Sequence, residues 1–352
     1  MKPHKLFLIL LSLVLFMAGC APKPKTKLLV FAAGSLIQPF TELSKAFEAK
    51  NPDIEVQLEF HGSIQVIRHV VDIHEEIDLV ATADQSLIPM LMYPPDAAAP
   101  EGYASWYLAM ATNKLAIAYT EKSKYAGEIN QENWWKILSQ PDVKVGLSDP
   151  RFDAVGYRQL MIFALAQNQY KKPDLFFNFV DGQFKQPITL TESDSSQQIH
   201  IPEILETRPD SHLVLRGGSI ALNALLEAGE IDYAFEYESV IKQHNFKMLP
   251  LPDSLNLGSP EMDPAYGKVS VVLDFQRFAK VKPEFKGETI RYGLTIPNNA
   301  PHMQQASRFV RFLYSHEGQA IMAEQHHPLL TPPRGDHLEK LPKILQESLP
   351  KE

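Results

Sequence analysis

Two stretches decide how this chain folds: Leu28-Leu29-Val30-Phe31-Ala32-Ala33-Gly34-Ser35, and then Ile54-Glu55-Val56-Gln57-Leu58-Glu59-Phe60-His61-Gly62-Ser63. The first opens as a continuous apolar run, the signature of a strand buried on both faces. In the second, Ile54, Val56, Leu58 and Phe60 alternate with polar residues, the period of a strand. Each runs directly into Gly-Ser, and each Gly-Ser runs into a helical pattern. Leu36, Phe40, Leu43 and Phe47 mark the first helix, and Ile64, Ile67, Val70 and Val71 the second. A strand, Gly-Ser, helix unit that occurs twice predicts an α/β fold with a parallel sheet covered on both faces.

The two Gly-Ser turns also suggest a use. A helix N-terminus exposes unpaired N–H groups and the positive end of its dipole. Glycine lets backbone approach a ligand closely, and serine adds a hydroxyl donor. Two such ends at the carboxyl edge of one sheet can converge on an anion, which makes Ser35 and Ser63 candidate ligands. The plain alternative is that both serines only cap their helices.

Outward from this core the alternation continues. Asp78–Ala81 reads as a strand and Gln85–Met92 as a helix. Lys114–Tyr119 and Val143–Leu147 read as strands, the second leading into the loop Ser148-Asp149-Pro150-Arg151-Phe152-Asp153-Ala154-Val155-Gly156 and a helix over Tyr157–Gln167. Gly217-Gly218-Ser219 opens another helix through Glu227, closed by Gly229. Ile231–Tyr237 and Tyr292–Ile296 are further strands, Gln304–Ala323 reads as one helix, and the Pro-rich tail from Pro328 reads as irregular.

The first twenty residues form a separate object. Lys2 and Lys5 precede the apolar run Leu6–Met17, too short for a comfortable membrane span, and Ala18-Gly19-Cys20 follows. This is the pattern of an export signal over 1–19. Cys20 is the only cysteine, so no intrachain disulfide can form. Met17-Ala18-Gly19-Cys20 resembles the lipobox of bacterial lipoproteins, which implies a lipid on Cys20 and a polar tether over 20–27. Loss of residues 1–19 takes the formal charge from −8 to −10. Such an acidic surface argues against nucleic acid and anionic lipid as ligands, and means that a bound anion is held by local dipoles.

Enzyme signatures are missing: no G-x-S-x-G, H-E-x-x-H or Walker A pattern occurs. His74-Glu75-Glu76 reads as a solvated helix end, and His326-His327 lacks the cysteine or clustered acid of a metal site. His61 lies two before Ser63 and forms no nucleophile–base pair with it. An exported hydrolase is therefore the weaker alternative, and no catalytic residue or cofactor is expected.

Across most of the sequence from Lys27 to Pro333, the chain resembles the carboxylate-using tungstate/molybdate-binding proteins of ABC importers. The stretches that carry this are Phe31-Ala32-Ala33-Gly34-Ser35-Leu36, His61-Gly62-Ser63-Ile64, Asp78-Leu79-Val80-Ala81-Thr82-Ala83-Asp84, Asn133-Trp134-Trp135, Asp153-Ala154-Val155-Gly156-Tyr157-Arg158, Gly229-Glu230-Ile231-Asp232-Tyr233-Ala234-Phe235-Glu236-Tyr237 and Tyr292-Gly293-Leu294-Thr295-Ile296-Pro297. The resemblance implies a type II, two-lobed periplasmic-binding-protein-like fold with a cleft between the lobes and two crossover strands, near 106–118 and 288–297. Lobe 1 would be discontinuous, 28–112 plus 297–352, and lobe 2 would be 113–296.

It also implies a site. Ser35 and Ser63 match the serines that hold the oxyanion. Asp153 and Glu236 match the two carboxylates that bond to molybdenum or tungsten. Where the family has Asp-Pro-Cys-Gly-Tyr-Arg, this chain has Asp153-Ala154-Val155-Gly156-Tyr157-Arg158, which makes Asp149 a second candidate for the first acid. Gly217-Gly218-Ser219 has no strong counterpart and is left out of the expected ligand set. Arg158 is expected to pair with a carboxylate rather than the ligand. The implied partners are tungstate or molybdate, an ABC permease with its ATPase, and the membrane through Cys20, with the protein a monomer. A different oxyanion, sulfate or phosphate, is the alternative ligand.

Overall fold

The computed structural model describes residues 24–193, 195–274 and 283–350. The expected signal, Cys20 and the start of the tether lie outside the described residues. The first sheet has six strands: β1 (Thr26–Ala33), β2 (Ile54–His61), β3 (Leu79–Thr82), β4 (Tyr107–Thr112), β14 (Arg291–Thr295) and β15 (Leu329–Asp336), in the order β15-β4-β14-β3-β1-β2. The second has five: β5 (Leu115–Tyr119), β6 (Val145–Ser148), β9 (Leu213–Arg216), β10 (Tyr233–Tyr237) and β11 (Lys247–Pro250), in the order β11-β5-β10-β6-β9.

Both sheets carry three parallel strands at one side, β2-β1-β3 in the first and β9-β6-β10 in the second. The chain leaves the first sheet at Thr112 and enters the second at Leu115, with only Asn113 and Lys114 between. It returns to the first sheet at Arg291.

The register of β1 against β2 runs from Thr26 opposite Ile54 to Ala33 opposite His61. Gly34 and Gly62 therefore leave the sheet side by side. Helix α1 (Ile37–Lys50) follows the first turn and α2 (Ser63–Val71) the second. Pro39 sits in the first turn of α1, where its missing N–H costs no helical hydrogen bond. Behind α1 packs α10 (Met303–Leu313), with Phe309 edge-on to Phe40 and Phe47.

In chain order α2 is followed by α3 (Leu87–Leu91), α4 (Trp134–Leu138), α5 (Ala154–Gln169) and α6 (Leu175–Val180). Helix α5 is buried from Ala154 to Gln167. A helix enclosed on all sides is apolar all round rather than along one stripe, and Leu160, Ile162 and Phe163 each contribute about 1.5–3 kcal/mol by leaving water. Beyond it come α7 (Ser219–Ala228), α8 (Glu238–Gln243) and α9 (Asp263–Tyr266).

The α/β architecture with parallel units is as the sequence predicts, and three details differ. A third sheet is present, formed by β7 (Thr189–Glu192), β8 (Gln197–Ile201), β12 (Val269–Leu273) and β13 (Glu284–Lys286). Its strands are short, and β7 is mostly exposed, so period alone gave little signal. The single helix expected over Gln304–Ala323 is two, α10 and α11 (His316–Glu324). Ser315 breaks it, because its hydroxyl caps the second helix by accepting from the Gly318 N–H at 3.2 Å. The tail is not irregular: β15 pairs antiparallel with β4, and α12 (Lys343–Ser348) follows. Pro332 and Pro333 are tolerated because β15 is an edge strand with a break in its register.

Candidate functional site

The carboxyl ends of the two parallel trios face each other across a small cavity. It holds about 240 Å³ of empty space, its mouth included, and Gly34, Ser35, His61, Gly62 and Ala83 line it from the first sheet. Asp153, Gly218, Ser219, Ile220 and Tyr237 line it from the second. The two walls touch. A Cβ on Gly62 would lie 2.4 Å from the Phe152 carbonyl oxygen, and that oxygen accepts from the N–H groups of Ile64 (3.0 Å) and Gln65 (3.3 Å) at the start of α2. Gly34 is as close to Ile220, but there the neighbour is the end of a flexible side chain.

The expected ligands divide into two layers. Ser35, in the short 3-10 turn Gly34–Leu36, borders the cavity. Its hydroxyl oxygen accepts from the Tyr292 phenol at 2.8 Å. Ser63 is the first residue of α2 and is wholly buried behind Gly62, where its oxygen accepts from the Ala83 N–H at 2.9 Å.

Asp153 borders the cavity at the N-terminus of α5. Its Oδ2 accepts from the Ser148 hydroxyl (2.7 Å) and the Ser219 N–H (2.9 Å). Burial pushes its carboxyl upward, and these donors pull the other way. Glu236 lies on β10 behind the lining residues, its oxygens taken by the Tyr237 N–H (2.8 Å) and Asn223 Nδ2 (3.1 Å). Burial, opposed by these donors and aided by the nearby Asp153 charge, pushes Glu236 up to about 7.

Asp149 does not border the cavity. It is held in a two-pronged pair with Arg151, at 2.9 and 2.6 Å. The loop still brings Asp153 to the cleft without the proline and cysteine of the family pattern, because Gly156 allows it. A Cβ there would lie 2.1 Å from the Ser148 carbonyl oxygen, so only glycine lets α5 start this close to the end of β6.

Arg158 pairs with a carboxylate, as its type suggests. Its guanidinium is buried, 3.2 Å from Asp84 Oδ2, and donates to the Ala83 carbonyl and the Tyr237 phenol, each at 2.7 Å. Tyr157 also donates to Asp84. Arg158 thus joins α5 to the loop after β3, across the cleft.

Gly218 and Ser219 were left out of the expected ligand set. They border the cavity, and the Ser219 N–H is a direct partner of Asp153. The signal was present: Gly-Gly-Ser opens a helix directly after a strand, as in the first half. His74 is exposed just past the end of α2, as expected of a solvated helix end, and its ring nitrogen meets the Tyr103 phenol at 2.6 Å. His327 is buried and faces Ser239 Oγ at 3.2 Å. Among the described residues, no group of three or more His, Cys, Asp or Glu could hold a metal ion.

The family described as "bacterial extracellular solute-binding protein" matches residues 28–326. The chain belongs to that family. Members are solute-binding proteins that work outside the cytoplasm, and among the described residues no helix is long and apolar enough to cross a membrane.

Two relatives are named molybdate/tungstate-binding protein WtpA. That of Thermococcus kodakarensis is 35% identical over 94% of this chain and 93% of its own length. That of Pyrococcus abyssi is 36% identical over 92% of each. A Petrotoga mobilis relative, 36% identical over 92% of this chain and 90% of its own, is described only as a solute-binding protein. The fold is that of the periplasmic binding proteins of type II. The sulfate-binding protein SubI of Mycobacterium tuberculosis superposes with TM-score 0.55 at 15% identity, covering 87% of this chain and 88% of its own. The Azotobacter vinelandii molybdate-binding protein gives 0.53 at 13%, covering 87% of this chain and all of its own. Both likenesses concern the fold alone.

Proposed function

We propose that this protein captures tungstate or molybdate and delivers it to the permease and ATPase of an ABC importer, held at the membrane as a monomer by a lipid on Cys20. The observation that carries this is the pairing of walls. The Ser35 hydroxyl stands on one side, and the carboxylate of Asp153 stands on the other with Glu236 behind it. The named relatives support the choice of ion.

Carboxylates beside a dianion are repulsive. Two unit charges 4 Å apart interact by about 4 kcal/mol at an effective dielectric of ~20. A pocket meant only for an anion gains nothing from them. They make sense when their oxygens reach the metal atom itself, because tungsten(VI) and molybdenum(VI) accept oxygen ligands beyond four, while sulfur and phosphorus in their oxyanions do not readily do so. The acids then repel sulfate and phosphate while bonding to the metal centre. Ser35 holds an oxo group in this reading, and Ser63 braces the wall from behind Gly62. Asp153 and Glu236 each exchange one protein donor for the metal.

The test is calorimetric titration of the mature protein with tungstate, molybdate, sulfate and phosphate, repeated for Asp153→Ala and Glu236→Ala. Tight binding of the first two ions by the native protein is expected. Each substitution is expected to weaken tungstate and narrow its margin over sulfate. Tungstate binding that strengthens without the acids would sink the metal-ligand role. Preference of the native protein for sulfate would replace the ion. The anchor is tested separately: Cys20→Ser should fold and leave the membrane fraction.

A further inference from the structure

Two of the hydroxyls that border the cavity, those of Ser35 and Tyr237, have their direction set by neighbours. Ser35 Oγ accepts from the Tyr292 phenol at 2.8 Å. The phenol oxygen in turn accepts from Asn113 Nδ2 at 3.2 Å, and the same nitrogen donates to Ser239 Oγ at 2.8 Å. The orientation of the Asn113 amide is fixed independently, because its Oδ1 accepts from the Lys114 backbone N–H at 3.0 Å. Nδ2 therefore points at Tyr292 and cannot exchange places with the oxygen. With Asn113 donating to the phenol, the phenol proton goes to Ser35. The serine's own proton is left to point away from Tyr292, toward the cavity it borders.

Tyr237 repeats the arrangement on the opposite wall. Its phenol oxygen accepts from Arg158 at 2.7 Å, so its proton too is free for the cavity. A hydroxyl carries one proton and two acceptor lone pairs. Here a neighbour occupies one lone pair of each oxygen and turns its proton away from itself, toward the cavity.

We propose that Tyr292 and Asn113 are positioning residues that make Ser35 a one-way donor, so that the pocket offers protons rather than lone pairs from Ser35 and Tyr237. The ligand class this suits is one that only accepts, a fully deprotonated oxyanion. The inference rests on the oxyanion reading above and adds to it residues that touch no ligand. Both lie where the chain passes between the sheets. Asn113 is in the two-residue step from β4 to β5, and Tyr292 is in β14 on the return. Ser239, on α8 of the second half, faces His327, which leads into β15 of the first sheet. The direction of the Ser35 proton is thus set by contacts that hold the two halves in their present relation.

The test is a double-mutant cycle in binding, read by calorimetry with tungstate. Should native protein prefer sulfate, the cycle is read with sulfate. Ser35→Ala is expected to weaken binding between about ten- and a hundred-fold, the loss of one hydrogen bond to a charged acceptor. Tyr292→Phe, which removes only the phenol that aims Ser35, is expected to weaken it about three- to ten-fold. In the Ser35→Ala background, Tyr292→Phe should have no further effect. Asn113→Asp offers the phenol an acceptor and turns its proton away from Ser35. It should mimic Tyr292→Phe, again only while Ser35 is present, and it serves if Tyr292→Phe does not fold. Additive losses, or Tyr292→Phe and Asn113→Asp proteins that bind as the native one does, overturn the positioning role and leave the oxyanion reading standing. A native protein that binds none of the four anions overturns both.

Discussion

Gly34-Ser35 and Gly62-Ser63 share one sequence pattern and occupy neighbouring strand ends, yet the structure uses them differently. At the first, a short 3-10 turn precedes the helix and the serine reaches the cavity. At the second, the helix begins at the serine, the glycine takes the place at the cavity, and the hydroxyl turns inward to hold the Ala83 N–H. Ser35 keeps 6% of its surface exposed and Ser63 none. The glycines differ in the same sense, with Gly34 against the tip of a side chain and Gly62 against the Phe152 backbone. The lesson is that a shift of two residues in where a helix starts moves a serine from the cavity wall to a buried brace.

If the second turn is the brace, damage behind it should show first in stability. Ala83 is held from both sides, by Ser63 at its N–H and by Arg158 at its carbonyl. Arg158→Met removes the buried partner of Asp84 and should cost about 3–5 kcal/mol of unfolding free energy in urea denaturation. A loss below about 1 kcal/mol would mean that Arg158 braces nothing.

The glycines provide the next largest contrast. Gly62→Ala should hinder closure by about 1–3 kcal/mol, because the Phe152 carbonyl is backbone and cannot turn aside. Gly34→Ala should cost less, since the Ile220 tip can change rotamer. Scattering measurements with saturating ligand would show the first variant more extended and the second unchanged. Equal behaviour of the two would erase the distinction.

The serines follow. Ser63→Ala leaves the buried Ala83 N–H without its acceptor and should lower stability by about 1–3 kcal/mol. Ser35→Ala leaves the buried Tyr292 phenol without its acceptor and should cost a similar amount of stability, but it alone should also weaken ligand binding. A stability loss at Ser35 with intact affinity would make it a brace as well.

The smallest effect expected is with pH, and it belongs to the opposite wall. Burial raises Glu236 from an ordinary value of 4.5 to about 7. The folded, ligand-free protein therefore keeps a proton that the unfolded chain sheds. Its contribution to stability is complete below about pH 4.5 and is lost as pH rises through about 7. Metal ligation needs the deprotonated form. Tungstate affinity should accordingly fall by up to about ten-fold per unit as pH drops below about 7. Glu236→Gln should flatten that slope. Glu288, also raised to about 7 but near Asp84, Arg158 and Asp263 rather than Asp153, is the control, and Glu288→Gln should keep it. A slope that vanishes with Glu288→Gln and survives Glu236→Gln would assign it to the wrong acid.

Much of this was legible in the sequence. Apolar runs and their periods marked β1, β2, α1 and α2, because burial on a helix or strand face imposes a period that short-range order preserves. The resemblance singled out Asp153 and Glu236, and the structure brings both to the cleft region. The third sheet, the break at Ser315 and the strand in the Pro-rich tail were not legible. Each depends on pairing with segments far along the chain, and period carries no record of that.

The sequence alone determined which residue types stand at the strand ends: glycine where backbone must come close, serine where a donor is useful, acids opposite them. Only the tertiary structure decided which of these side chains meet. Ser35 accepts from Tyr292, far along the chain, and Ser63 is a brace because the Ala83 N–H lies beneath it. The direction of a hydroxyl proton is a property of its neighbours in space, and here those neighbours lie 257 and 20 residues away along the chain.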